Sequence, residues 1–267
     1  PFQRVPLRQS MMVDAHRLIY LPIAKNACSS LKTLVAELGG MALAEGQDIH
    51  AALDQDPNTL VFLNRDDADI RAALAHPDWM RFTVLRDPID RLISAYVEKF
   101  VIGREAPGMR ITIDPVLLRA LNRWELSEGD YTRGLTFRQF AQDVLNEPPH
   151  RLDPHWRPQS LFLDHIPHTH IYTVAHLPLL KRDLEAHTGQ PIALPEKNRV
   201  RTEAPEATTG PCLADTLPGD LQDPARLPID RFLDADLRAT LTEYYAHDLT
   251  LLGLITQAND AGTARIA

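Results

Sequence analysis

The sequence predicts an α/β fold of three layers, with a central, mostly parallel sheet flanked by helices. Two strand–loop–helix units carry that expectation: LIYLPIAKNACSSLKTLVAEL at 18–38 and RFTVLRDPIDRLISAYVEKF at 81–100. In each, a short apolar β-prone run gives way to apolar residues at helical spacing. The third observation is length, since 267 residues suffice to bury one full core. The chain is therefore read as a single domain over 1–267. Within it, 1–17 form an N-terminal arm, 190–228 a proline-rich crossing segment and 257–267 a flexible tail.

Composition narrows the class. At 44% apolar and 24% charged residues the chain reads as soluble and globular, and no run approaches the ~18 apolar residues that cross a bilayer. The opening PFQRVPLRQSMMVD lacks an apolar signal region, although a start at Pro1 leaves a trimmed N-terminus open. A net charge of -8 argues against nucleic acid as a partner and against anionic membranes, because such binding rests on phosphate neutralisation. Cys28 and Cys212 do not make a disulfide scaffold. A reduced thiol at Cys28 suits a reducing, cytoplasmic setting.

In chain order, the first apolar run is Leu18 to Ile23, and Leu31, Leu34, Val35 and Leu38 mark the first helix. Gly39 and Gly40 stop it. His50 lies in a polar connection, GQDIHAALDQDPN, where a lone histidine is ordinarily a surface or cap residue. Thr59 to Leu63 reads as a short strand, and Arg65 to Ala75 as a helix stopped by Pro77. Phe82 to Leu85 is a buried strand, Asp87 an N-cap and Pro88 the first helical residue. Ile89, Leu92, Ile93, Tyr96, Val97 and Phe100 form one apolar face, opposite Asp90, Arg91, Ser94 and Glu98.

The stretch from Val101 to Gly134 is arginine-rich and reads as an insertion, either bordering an acceptor cleft or solvated. Thr136 and Gln139 make a capping box for a helix to Leu145, ended by Pro148 and Pro149. Residues 190–228 hold seven prolines and few large apolar residues, which fits an irregular crossing segment. Leu237, Leu241, Tyr244, Tyr245, Leu249 and Leu252 mark one amphipathic final helix, with a frayed tail after Gln257.

The loop between the first strand and helix has the chemistry of an anion site. A helix N-terminus presents unpaired N–H groups and roughly half a positive charge. Ser29 and Ser30 add hydroxyls, and Lys25 adds an ammonium. The pattern is not Walker A, since the glycines are missing and the lysine precedes the serines. An ordinary strand–turn–helix with a serine cap and a solvated lysine is the plainer alternative. Arg86 likewise follows the end of its strand, at the sheet edge where open α/β folds bind ligands. With Ser94 it suits a second phosphate, unless it merely pairs with Asp87 or Asp90.

Together the two units resemble the signature of sulfotransferases that use 3'-phosphoadenosine-5'-phosphosulfate (PAPS). PIAKNACSSLKTL is similar to that superfamily's 5'-phosphosulfate loop, and RDPIDRLISAY to its 3'-phosphate motif, with arginine and serine eight positions apart. The second motif continues to Lys99 and Phe100, as in the carbohydrate sulfotransferases that include the chondroitin/dermatan 4-O and HNK-1 enzymes. DPHWRPQSLFL at 153–163 resembles that family's His-Trp element. HIYTVAHLPLLKRDLEAH resembles its Val-Gly-x-x-Glu-x-Leu region, and LRATLTEYYAHDLTLLGL its closing helix. The family's cysteines after the His-Trp element are replaced by Leu161, Asp164 and Pro167, and nothing resembles its Golgi anchor. Both departures point to a soluble, bacterial-type relative and weaken transfer of the acceptor.

The resemblance implies a P-loop-like fold and sulfuryl transfer from PAPS to an acceptor hydroxyl, a carbohydrate by family expectation, releasing adenosine 3',5'-bisphosphate (PAP). It implies no metal. Lys25 would polarise the oxygen between sulfur and phosphate, with Asn26, Ala27, Cys28, Ser29 and Ser30 around the 5'-phosphate. Arg86 and Ser94 would hold the 3'-phosphate, and Arg199, in KNRVR at 197–201, would reach over it. For the base, His50 is favoured by its place 25 residues after Lys25, and His155 is the second candidate, either catalytic or orienting the acceptor. A P-loop-type nucleotide kinase and a noncatalytic carbohydrate-binding protein are the alternatives.

Overall fold

The structure, a computed structural model, describes residues 7–44, 46–55, 60–194, 210–223 and 227–266. They fall into two compact units. One is drawn from Pro1–Arg86, Gln159–Asn198 and Thr250–Ala267, the other from Asp87–Pro158 and Arg199–Leu249. The strands are β1 (Met11–Val13), β2 (Leu18–Tyr20), β3 (Met80–Leu85) and β4 (His170–Thr173). The helices begin with α1 (Cys28–Leu38), α2 (Ile49–Gln55), α3 (Asp67–Ala75), α4 (Pro88–Tyr96), α5 (Arg110–Ala120) and α6 (Glu128–Arg133). They continue with α7 (Phe137–Asn146), α8 (Ser160–Leu163), α9 (Leu177–Thr188), α10 (Ala235–Tyr244) and α11 (Ala246–Asp260).

The first unit is the α/β layer structure that the sequence predicts. Its sheet runs β1-β2-β3-β4, antiparallel at β1/β2 and parallel at β2/β3 and β3/β4. Side chains alternate across a strand, and burial follows that period. Tyr20, Phe82, Val84 and Tyr172 share one face with Leu31, Leu34 and Val35 of α1, Ile49 and Leu53 of α2, and Leu180 and Leu184 of α9. Ile19, Leu85 and Ile171 face the other way, toward Ile70 of α3, Phe162 of α8 and Leu251 of α11. Helices therefore cover both faces, and Tyr20 stacks on Phe82 at 4.9 Å between ring centroids. A mostly parallel sheet has to be covered in this way, because its strands are apolar on both sides.

The second unit is helical. Its core gathers Tyr96, Phe100, Phe137, Phe140, Trp156 and Phe232, with Phe100 and Phe140 at 4.7 Å. Asp87 caps α4 as its sequence position implies: one carboxylate oxygen accepts from the N–H groups of Ile89 and Asp90, both at 2.9 Å. Past Tyr96 the helix widens into a π turn over Val97–Ile102. The Thr136–Gln139 capping box opens α7.

Four expectations change. The 1–17 arm contains β1, whose three residues are too few to show a period. Thr59 lies outside the described residues, and the rest of the 59–63 strand is only a Met11–Val61 bridge followed by a 3-10 turn. That turn carries Phe62 into the core. The single closing helix is broken at Tyr245, whose backbone leaves helical geometry while its hydroxyl donates to the Trp156 carbonyl at 2.8 Å. Finally, the tail is tied down. After α11, Gly262 turns the chain at φ +81°, and the Ile171 N–H donates to the Ala264 carbonyl at 3.0 Å. The Ile266 N–H donates to Thr169 at 2.9 Å, so backbone pairing to β4 replaces fraying.

Candidate functional site

The anion loop spans the seven residues between β2 and α1. Lys25 and Ala27 both adopt positive φ, +70° and +57°, a conformation that costs a non-glycine residue of order 1–3 kcal/mol and concentrates at functional loops. Ala27 holds the N-cap position of α1 and supplies no side-chain cap. The first turn of an eleven-residue helix thus keeps its N–H groups turned to the loop. Asn26 is buried beneath the loop, and its amide donates to the Val84 carbonyl at 2.8 Å and to Gln159 Oε1 at 2.6 Å.

Arg86 leaves the C-terminal end of β3 and returns to this loop. Its Nη1 donates to the Lys25 carbonyl at 3.2 Å. Its backbone is held from both sides by Gln159, which accepts from the Arg86 N–H at 3.0 Å and donates to the Arg86 carbonyl at 2.7 Å. One buried amide side chain therefore registers the end of β3 against the Asn26 loop. Gln159 was not legible as a site residue, since nothing in its local spacing sets it apart.

His50, on the first turn of α2, reaches the N-terminal half of α1. Its Nε2 lies 3.2 Å from Ser29 Oγ and its Nδ1 3.4 Å from Lys32 Nζ. An ammonium can only donate, so in this pairing Nδ1 accepts and Nε2–H faces Ser29. Lys32 is buried on α1 and donates to Gln9 at 3.0 Å. Burial pushes its ammonium below the usual lysine range, against the opposing pull of Cys28, Asp54 and Asp48. Cys28, at the start of α1, is a free thiol, as is Cys212.

Together these residues present hydrogen-bond donors to an anion. The helix amides, the hydroxyls of Ser29 and Ser30, the Lys25 ammonium and the Arg86 guanidinium are all hydrogen-bond donors, and all lie on or beside one strained loop. That donor set suits phosphate oxygens.

In the second unit, Ser94 is half-buried on α4. Arg91, read from sequence as part of the polar face, is instead fully buried. It donates to the Arg157 carbonyl at 2.7 Å and the Pro154 carbonyl at 2.5 Å. The guanidinium thus grips the turn that carries His155. His155 Nδ1 lies 2.6 Å from Asp153 Oδ1, which also accepts from the His155 backbone N–H at 2.9 Å. Burial pushes the Asp153 carboxyl up, but the hydrogen bond and charge of His155 prevail and hold it below the usual carboxylate range. The pairing fixes the orientation of the ring. Arg199 lies outside the described residues.

The model of the sulfotransferase family matches residues 8–254. The chain is 31% identical over 159 residues to carbohydrate sulfotransferase 14 of Danio rerio, covering 59% of this chain and 42% of that protein. It is 30% identical over 172 residues to human carbohydrate sulfotransferase 10, covering 63% and 45%. Against mouse carbohydrate sulfotransferase 8 it is 28% identical over 157 residues, covering 54% and 34%. The chain therefore spans less than half the length of these curated relatives. No solved structure matches it significantly. Among the described residues, no helix is long and apolar enough to cross a membrane.

Proposed function

We propose that this chain, which belongs to the sulfotransferase family, transfers a sulfuryl group from PAPS to a hydroxyl of a carbohydrate acceptor. The observation that carries the donor assignment is the contact of Arg86 Nη1 with the Lys25 carbonyl at 3.2 Å. It brings the arginine of the second motif onto the loop of the first. PAPS supplies an activated sulfuryl group: the acceptor oxygen bonds to sulfur, the sulfur–phosphate oxygen bond breaks, the acceptor proton goes to a base and PAP leaves.

The protein's part is to position and to stabilise charge. Lys25 neutralises the oxygen on which negative charge grows. The α1 amides, Ser29 and Ser30 hold the 5'-phosphate, with Asn26, Ala27 and Cys28 shaping the loop. Arg86 binds the 3'-phosphate, and by the family resemblance Ser94 and Arg199 serve that phosphate too. His50 takes the acceptor proton, a reading supported by its contact with Ser29. It does so once ligand binding frees Nδ1 from Lys32. His155, held by Asp153, orients the acceptor.

The test is transfer of sulfur-35 from labelled PAPS to a panel of glycan acceptors, with labelled ATP as the control. Incorporation from PAPS alone is expected. His50→Ala should lower kcat by roughly 10²–10⁴ while PAP affinity stays within a few-fold. Near-normal turnover of that variant contradicts the base assignment, and transfer from ATP contradicts the donor.

A further inference from the structure

Lys32 lies on α1 about one turn past Cys28 and is only 5% exposed. Its ammonium donates to Gln9 Oε1 at 3.0 Å and stands 3.4 Å from His50 Nδ1. Neither partner is a carboxylate. Among the described residues Lys32 makes no ion pair, and Cys28, Asp54 and Asp48 act on it only as charges. A buried ammonium without a paired carboxylate is costly, and burial accordingly lowers its proton affinity. The first unit thus keeps an expensive cation in place on two neutral acceptors, one of them a histidine ring.

That cation acts on His50 in two ways. First, an ammonium can only donate, so the neutral ring that meets it carries its proton on Nε2, toward Ser29 Oγ at 3.2 Å. Second, a proton added to Nδ1 would turn an acceptor into a donor and set two positive groups against each other, which disfavours the imidazolium. The groups facing the pair are Gln9 just before β1, Cys28 and Ser29 on α1, and Asp48 and Asp54 at α2. Asp48 also accepts from the His50 backbone N–H at 2.7 Å. The two carboxylates pull toward a protonated ring, and Lys32 is the charge that opposes them.

We infer that Lys32 is a positioning residue for His50: its ammonium fixes the ring as the Nε2–H tautomer and keeps Nδ1 unprotonated, so that His50 enters the reaction as a base. The inference rests on the proposed role of His50 and supplies what holds that histidine in its working protonation state.

Nitrogen-15 NMR of the histidine rings in the full chain, followed through a pH titration, tests it, with His50→Gln identifying the signal. In the unmodified protein at neutral pH, the His50 proton is expected on Nε2. Lys32→Met should raise the His50 titration midpoint by at least about half a pH unit, and Lys32→Arg should restore it. The acid limb of the kcat–pH profile should move up with that midpoint, while PAP affinity stays within a few-fold. A proton on Nδ1 in the unmodified protein overturns the inference, as does an unmoved or lowered midpoint in Lys32→Met that still binds PAP. If Lys32→Met does not fold, Lys32→Gln is titrated against the same criteria. A raised midpoint with an unmoved kcat limb removes the base role of His50 and leaves the hold of Lys32 on the ring. An unmoved midpoint with turnover still lost in His50→Gln removes Lys32 alone.

Discussion

The Arg86 guanidinium donates to the main-chain carbonyl of Lys25 across 3.2 Å, joining residues 61 positions apart. The contact anchors the arginine at the rim of the anion loop, on the strand-end edge where parallel sheets bind ligands. Hydrogen bonds to charged groups are worth about 1.5–3 kcal/mol. Arg86→Ala should therefore weaken PAP binding by roughly 10- to 100-fold, with a much smaller change for adenosine 5'-monophosphate. Calorimetric titration of both nucleotides checks this, and equal losses for the two would remove the 3'-phosphate from Arg86.

Lys25→Ala separates binding from chemistry. A donor aimed at developing charge contributes most in the transition state, so kcat should fall by roughly 10²–10³ while PAP affinity falls far less. Single-turnover transfer from labelled PAPS provides the measurement.

Gln159→Leu tests the support beneath the loop. The side chain accepts from Asn26 and from the Arg86 N–H and donates to the Arg86 carbonyl. Its loss leaves buried groups unpaired, at a cost of about 1–3 kcal/mol in urea unfolding. Because the network registers the loop against β3, PAP affinity should fall as well. A variant that loses stability with PAP affinity unchanged would make Gln159 purely structural.

Acid should destabilise the protein through His168. Burial lowers its imidazole to about 4 from the ordinary 6.5; Arg81 adds to the lowering and a backbone hydrogen bond at Ile166 opposes it. The unfolded chain therefore binds a proton below pH 6.5 that the folded chain refuses. The stabilisation present above that pH is lost as pH falls from 6.5 toward 4, by roughly 3 kcal/mol. His168→Gln should flatten that part of the stability profile in denaturant titrations at stepped pH.

The two strand–loop–helix units were legible because their parts are local. Asp87 and Pro88 announce a helix start wherever they stand, and the Leu18–Leu38 and Phe82–Phe100 patterns carry their own periods. What escaped was tertiary. Arg91 sits at helical spacing among polar residues, and only the carbonyls of Pro154 and Arg157 explain its burial. Gln159 and Lys32 act through partners distant in the chain. β1 is too short to show alternation, and the C-terminal residues owe their order to backbone pairing with β4, which side-chain pattern does not encode. The break at Tyr245 likewise depends on the carbonyl of Trp156.

The most direct measurement is calorimetric titration of the unmodified protein with PAP, adenosine 5'-monophosphate and ATP in the absence of metal. PAP is expected to bind at least ten times more tightly than either of the others, because only PAP would present phosphate to both the α1 loop and Arg86. Equal affinity for PAP and adenosine 5'-monophosphate, or a preference for ATP, would contradict it.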